Sequence, residues 1–321
     1  MGEFAVNVQP VNADLLAALE EYLSRRHTLG FQLIEEERNA RRFLEWLWAR
    51  GTRRAAFTAA EATTWARGGG IFKNSYQGQR LSAVKGFSRY CRALGMDVQV
   101  PTAGALNTGR NRRTPHIYTQ NEVDALIAAC QEVFTPVLVQ ATMANIIALL
   151  AVSGMRIGEV LRLKPQDIHA PEFTVLVRAN KHGPERLIPL HPTTVDALAK
   201  YESSPNRQTV SPHPDGPLFV NTRGTACQRA TVEGHFQRIR AAANFTGEGT
   251  TPCLHDLRHT FATRQMIQAY SIDDGNPAAR LSLLATWLGH SDPSHTYWYV
   301  QAVPELLALA SNRLNTNITM G

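Results

Sequence analysis

Only four cysteines occur in the 321 residues, Cys91, Cys130, Cys227 and Cys253, and no two of them form a CxxC pair. That scarcity excludes a zinc knuckle and a disulfide scaffold, so the four thiols read as reduced core filler. No apolar run reaches the roughly 18–20 residues of a membrane-spanning helix, and the N-terminus lacks the basic-then-apolar order of a secretion signal. A soluble, intracellular protein without a membrane partner is the expectation. Internal repeats are also missing. Acidic residues are scarce in one place above all: residues 104–116 carry Arg110, Arg112 and Arg113 and not one Asp or Glu.

What is present points to two domains. A chain of this length is long for one core, and 44% hydrophobic residues suffice to bury two. Net charge is +6 and the isoelectric point near 9.3, which permits a polyanionic partner without requiring one. The distribution is more informative. Residues 11–103 hold 14 Lys and Arg against 9 Asp and Glu, whereas residues 117–321 hold 16 against 17. The excess positive charge therefore lies in the first third and in the joint after it.

Residues 1–10 are read as a tail and 11–103 as a helical DNA-binding domain. Asn12 or Asp14 can cap a first helix with Leu15, Leu16, Leu19, Tyr22 and Leu23 at helical spacing. A second, from about Glu35 to Arg50, turns Phe43, Leu44 and Leu47 inward and Arg38, Arg41 and Arg42 outward. After a break at Gly68-Gly69-Gly70, a stretch from about Ser75 to Leu94 gathers Lys85, Arg89 and Arg92 near one face. Arg41, Arg42, Lys85 and Arg89, with Arg110, Arg112 and Arg113 of the basic linker 104–116, are the candidate DNA contacts.

The second domain, 117–321, opens at Thr119 and Glu122, which stand at capping-box spacing. A buried helix over about 140–152 and a Ser153-Gly154 break follow, then a helix holding Arg156 and Glu159. The one clear β signal is FTVLVRANKHGPERLIPL, residues 173–190, whose β-branched runs flank a turn with Lys181 at its tip. Loops are expected near 203–217 and 246–252.

Three further segments could carry chemistry. LHDLRHTFA, residues 254–262, sets Leu254, Leu257 and Phe261 on one helical face and His255, Arg258 and His259 on the other. That polar face fits solvent or an anion; a zinc site needs a Glu beside the first His, where the chain has Asp256, and tolerates poorly the cation of Arg258. WLGHSDPSHTYWYV, residues 287–300, brings His290 after a glycine and then Tyr297 and Tyr299. Taken alone, such an aromatic cluster is core. Arg156 alone is a solvated charge.

In combination, SGMRIGE, the hairpin lysine before ERLIPL, HDLRHTFAT, LGHSD and a tyrosine nine residues beyond that histidine resemble the tyrosine site-specific recombinases, the phage integrase family. The resemblance covers both domains in layout and is specific from about 117 to 300. It implies a mainly α fold with a small antiparallel β-sheet, built as a two-domain DNA clamp from a helical core-binding domain and a catalytic domain. It further implies a cytoplasmic, nucleoid-associated bacterial enzyme that cleaves and rejoins DNA through a 3′-phosphotyrosyl intermediate. No metal, ATP or other cofactor is needed.

Its partners would be double-stranded recombination sites and further copies of itself in a synaptic tetramer, with room for accessory proteins. By the resemblance Arg156 and Arg258 neutralise the phosphate, His255 is the base, Lys181 the proton donor to the leaving 5′ oxygen, His290 a phosphate ligand, Tyr299 the nucleophile and Glu159 a supporting acid. The chemistry has the same needs: an anionic diester resists an anionic nucleophile unless cations surround it, and a tyrosine of pKa about 10 must be activated. Tyr297 competes for the nucleophile's place, but on a helix the two tyrosines stand about 200° apart, and spacing from His290 favours Tyr299. The tail from Pro304 to Ala310 reads as a short amphipathic helix that must dock in cis or in trans, and the resemblance implies docking on a neighbouring subunit. The insertion near Asp273-Asp274-Gly275 reads as an extra loop. The rivals are a type IB topoisomerase, a DNA-binding module without activity, and a zinc peptidase.

Overall fold

The computed structural model describes residues 11–72, 74–102, 104–106, 114–179, 184–210, 213, 215–245, 251–271 and 277–289. By its contacts the chain divides into two compact units, Met1–Arg112 and Arg113–Gly321. The division falls inside the stretch read as a linker, yet the start of that stretch is not free chain: Ala105 and Leu106 pack on the first core.

Among the described residues, four α-helices build the first unit: α1 (Ala13–Thr28), α2 (Ile34–Ala49), α3 (Ala59–Arg67) and α4 (Asn74–Ala93). Asn12, not Asp14, caps α1, its side chain accepting from the Leu15 N–H at 3.0 Å. Helix α3, not singled out by its periodicity, begins with a capping box in which Thr58 and Glu61 bond each other's backbone N–H. Such a cap contributes about 1 kcal/mol. Leu15, Leu19, Phe43, Leu47, Trp65, Val84 and Phe87 form the core. Arg80 is buried among aromatic rings, its guanidinium 3.8 Å from the Trp65 ring centre and donating to the Trp65 carbonyl.

The second unit is organised around α6 (Val137–Ser153). A helix apolar on every side must be buried, and α6 presents Met143, Ile146, Ile147, Leu149 and Leu150 to α5 (Gln120–Val133), α8 (Pro192–Glu202), α10 (Arg229–Ala242) and α11 (Leu254–Ser271). The Thr119–Glu122 capping box opens α5 as the spacing requires. Helix α6 stops at Gly154, whose φ of +64° is left-handed, and the chain turns at once into the short α7 (Ile157–Val160).

Strands β1 (Ile168–His169), β2 (Thr174–Val177) and β3 (Arg186–Pro189) form an antiparallel sheet in that order, with Val175 opposite Ile188. The hairpin strands lie where β-branched runs placed them; β1, only two residues long, carries too little pattern to be read. Lys181 lies outside the described residues. Helix α9 (Pro205–Val210) occupies part of the expected loop 203–217. Its polar sequence is overridden by Arg207, a buried side chain whose guanidinium donates to the Leu218 and Pro217 carbonyls. The last described element is α12 (Pro277–Leu288); the suspected loop at 273–275 lies outside the described residues. Among the described residues no helix is long and apolar enough to cross a membrane.

Candidate active site

Arg156 stands at the N-cap of α7 because the Gly154 turn breaks α6 two residues earlier. It is not a free surface charge. Its side chain is 24% exposed, and Nη1 donates to Glu159 Oε1 at 3.0 Å while its backbone N–H donates to Glu159 Oε2 at 2.9 Å. Nη2 reaches the Gly289 carbonyl at 3.0 Å.

Arg258, one turn beyond His255 on α11, departs from the solvated polar face that helical periodicity allows. Only 2% of its surface is exposed, and its two terminal nitrogens donate to the Gly154 carbonyl at 2.8 Å and the Leu288 carbonyl at 2.7 Å. Burial of the cation is possible because each contact is a hydrogen bond to a carbonyl at a helix end, where the dipole's negative pole lies. Gly154 must stay small there: a Cβ would fall 2.4 Å from the Phe261 ring.

His255 is exposed, and its ring meets that of His259 edge-on at 4.6 Å. Partial burial of its ring, then the nearby cations of Arg258, Arg156 and Arg229, hold its imidazole below the ordinary value, while Asp256 pulls the other way. Since the residue is open to solvent, the arginines are the sturdier cause. The shift favours the neutral imidazole, the form that can accept a proton. Asp256, the residue a zinc reading would need as base, instead accepts the Cys253 N–H at 2.8 Å and caps α11. Among the described residues no group of three or more His, Cys, Asp or Glu could hold a metal ion.

Glu159 joins a further residue, the arginine of ERLIPL, to which the sequence reading assigns no role. Arg186 donates from Nη2 to Glu159 Oε2 at 2.8 Å, from Nη1 to Oε1 at 3.3 Å, and from Nε to the Trp287 carbonyl at 2.7 Å. Burial raises the Glu159 carboxyl's pKa, but the hydrogen bonds from Arg186 and the Arg156 N–H, with both cations, outweigh it and hold the group below the ordinary carboxylate value. A signal for Arg186 exists in the sequence. Strand alternation places it on the same face as buried Ile188, with exposed Leu187 between, so it is a charge aimed inward.

The structure thus brings Arg156, Glu159, His255 and Arg258 to the junction of α6, α7, α11 and α12. His290, Tyr297, Tyr299 and the tail 304–321 lie outside the described residues, as do Arg110, Arg112 and Arg113. In the first unit Arg42 and Arg89 are exposed and Lys85 is half-buried. Arg41 is held between Glu20 at 2.7 Å and Glu37 at 2.9 Å, so much of its charge is already spent within the protein.

A cluster of guanidinium groups beside an imidazole, on a helical scaffold with a small sheet, is suited to an anionic group. The family model for the phage integrase family matches residues 117–305, and the chain belongs to that family, the tyrosine recombinases, which cleave and rejoin DNA strands. It is 30% identical over 303 residues to the putative integrase/recombinase y4rB of Sinorhizobium fredii (strain NBRC 101917 / NGR234), covering 92% of this chain and 96% of the relative. It is also 30% identical over 220 residues to the tyrosine recombinase XerD of Pseudomonas aeruginosa, covering 68% of each chain. Among solved structures, the Tn1549 transposon integrase in complex with transposon right end DNA superposes with a TM-score of 0.67 at 17% identity, over 93% of this chain and 99% of that one. A lambda integrase tetramer bound to a Holliday junction gives 0.59 at 20% identity, over 89% and 76%. At those identities the likeness is one of fold.

Proposed function

We propose that Tyr299 is the nucleophile of a site-specific recombination reaction in which Arg156 and Arg258 hold the scissile phosphate. The observation that carries this reading is the gathering of both guanidinium groups at the end of α12, directly before His290 in sequence, with His255 one turn from Arg258. Each guanidinium is already fixed by carbonyls, so the phosphate meets ordered donors, and little reorganisation is spent as charge builds on phosphorus.

Neutral His255 takes the proton as the Tyr299 oxygen attacks phosphorus. The bond from phosphorus to the 5′ oxygen breaks, Lys181 protonates that oxygen, and the phosphate stays joined to the 3′ end through Tyr299. His290 adds a hydrogen bond to the phosphate. Attack by a 5′ hydroxyl of the partner duplex reverses the chemistry, returns the proton to Tyr299 and leaves rejoined DNA. The energy of the broken bond is kept in the tyrosyl ester, so the scheme uses no ATP.

The basic first unit and linker grip the duplex through Arg42, Lys85, Arg89, Arg110, Arg112 and Arg113, with Arg41 a lesser contributor because of its acidic neighbours. The domains run from 11 to 103 and from 117 to 321, with the basic linker 104–116 between them in sequence. Four copies act together on two sites, and the tail after Val303 joins neighbouring copies. The test is a nicked suicide substrate that traps the covalent adduct. Tyr299→Phe should bind DNA and form no adduct, whereas Tyr297→Phe should form it; loss of the adduct in Tyr297→Phe alone would overturn the assignment.

A further inference from the structure

The last three backbone carbonyls of the α12 terminus each receive a different arginine. Trp287 O accepts from Arg186 at 2.7 Å, Leu288 O from Arg258 at 2.7 Å, and Gly289 O from Arg156 at 3.0 Å. Two of these arginines are the phosphate-binding pair argued above. The third is assigned no phosphate contact: Nη1 and Nη2 of Arg186 donate to the Glu159 carboxylate and Nε to the Trp287 carbonyl.

Arg186 nevertheless sits where three parts of the site meet. It lies at the start of β3, the strand that follows Lys181 in sequence. One side of its planar fork grips both oxygens of Glu159, the carboxylate that fixes Arg156 through its Nη1 and its backbone N–H. The other side holds the end of α12. Gly289 makes room for it: φ is +65°, and an added Cβ would stand 2.8 Å from Arg186 Nη1 and 2.9 Å from its Cζ.

We infer that Arg186 is a positioning residue for strand cleavage, which sets the Arg156 guanidinium on the scissile phosphate by clamping Glu159 to the α12 terminus. The inference rests on Arg156 being a phosphate-binding cation. A lysine at this position keeps the charge, but its single ammonium cannot present parallel donors to both carboxylate oxygens and also reach Trp287. Arg156 would then lose the fixed carboxylate that aims it, and a misplacement of about 1 Å costs about a hundredfold in rate.

The test is single-turnover cleavage by the full-length chain on two suicide substrates, one with a normal scissile phosphate and one with an uncharged methylphosphonate. Arg186→Lys should bind both as the natural chain does, cleave the phosphate about a hundredfold more slowly, and come within a few-fold of the natural chain on the methylphosphonate, where a cation matters less. Arg156→Lys should show the same pattern. Equal slowing of Arg186→Lys on both substrates makes the residue merely structural and overturns the inference, while a normal Arg156→Lys overturns the reading of Arg156 beneath it. If Arg186→Lys does not fold, Gly289→Ala, which crowds the same guanidinium and keeps its charge, should reproduce the phosphate-selective loss.

Discussion

Replacing Glu159 by Gln preserves shape and removes one charge, so its cost can be worked from the contacts. Oε1 accepts from Arg156 Nη1 and Arg186 Nη1, and Oε2 accepts from the Arg156 N–H and Arg186 Nη2. Whichever oxygen becomes the amide nitrogen, two of these four bonds are lost and donors face donors. Breaking a buried pair from one side costs about 3–5 kcal/mol, because the remaining cation stays buried. For a unit of the size of Arg113–Gly321, each kcal/mol moves the melting temperature by about 2–4 °C, so the fall should be on the order of ten degrees.

The carboxyl's pKa is depressed in the folded state. Its stabilisation is therefore complete above the ordinary carboxylate value of about 4.3 and is lost as pH falls through the lower folded value. Calorimetry of both chains should show a gap that is constant from pH 6 to 8 and narrows below pH 4. A gap under one degree at neutral pH, or one that survives undiminished in acid, refutes the assignment of Glu159 as the buried anion of this cluster.

Lys181→Ala should cleave DNA whose leaving 5′ oxygen is replaced by sulfur far faster than normal DNA, since a thiolate leaves without a proton; equal impairment removes Lys181 from the acid's role. The His255 imidazole, followed by NMR, should titrate below the free value of about 6.5, and the acid limb of cleavage should move with it; a limb above that value argues against His255 as base. Gly154→Ala forces a left-handed alanine whose methyl lies 2.4 Å from Phe261 and 3.1 Å from Leu288, so its denaturation midpoint should fall by about 1–3 kcal/mol in stability, and an unchanged midpoint contradicts the tight turn. Adduct formation should persist in excess EDTA, and rescue of a chelated enzyme by zinc alone would end the metal-free mechanism.

Periodicity carried the helices well where apolar spacing and capping boxes coincide, as at Thr119 and in the continuous apolar run of α6. It failed where long-range partners override local pattern. Helix α9 is polar in sequence and exists because Arg207 bonds carbonyls about ten residues away. Arg258 reads as a surface charge on a helical wheel; only the carbonyls of Gly154 and Leu288, remote in sequence, make its burial tolerable. Arg156 and Glu159 stand three residues apart, a spacing at which side chains on a helix meet, so their pairing is a local matter. The partnership of Glu159 with Arg186 is not, since no local spacing connects positions 27 residues apart. The pairing of Arg41 with Glu20 likewise depends on two different helices meeting, which charge counts along the chain cannot reveal.

Trp287 lies at the hub of these contacts in an unusual way. Its indole N–H donates to the Ser153 carbonyl at 2.9 Å, its ring tilts against Phe261 at 5.6 Å, and its own carbonyl is held by Arg186. One fluorophore thus touches the end of α6, the face of α11 and the arginine of β3. Any shift of α12 on its neighbours must alter the polarity around that indole, and with it the wavelength of its emission. Trp287 is one of five tryptophans, so with the other four replaced by phenylalanine its emission becomes an optical gauge of how the arginine cluster is set.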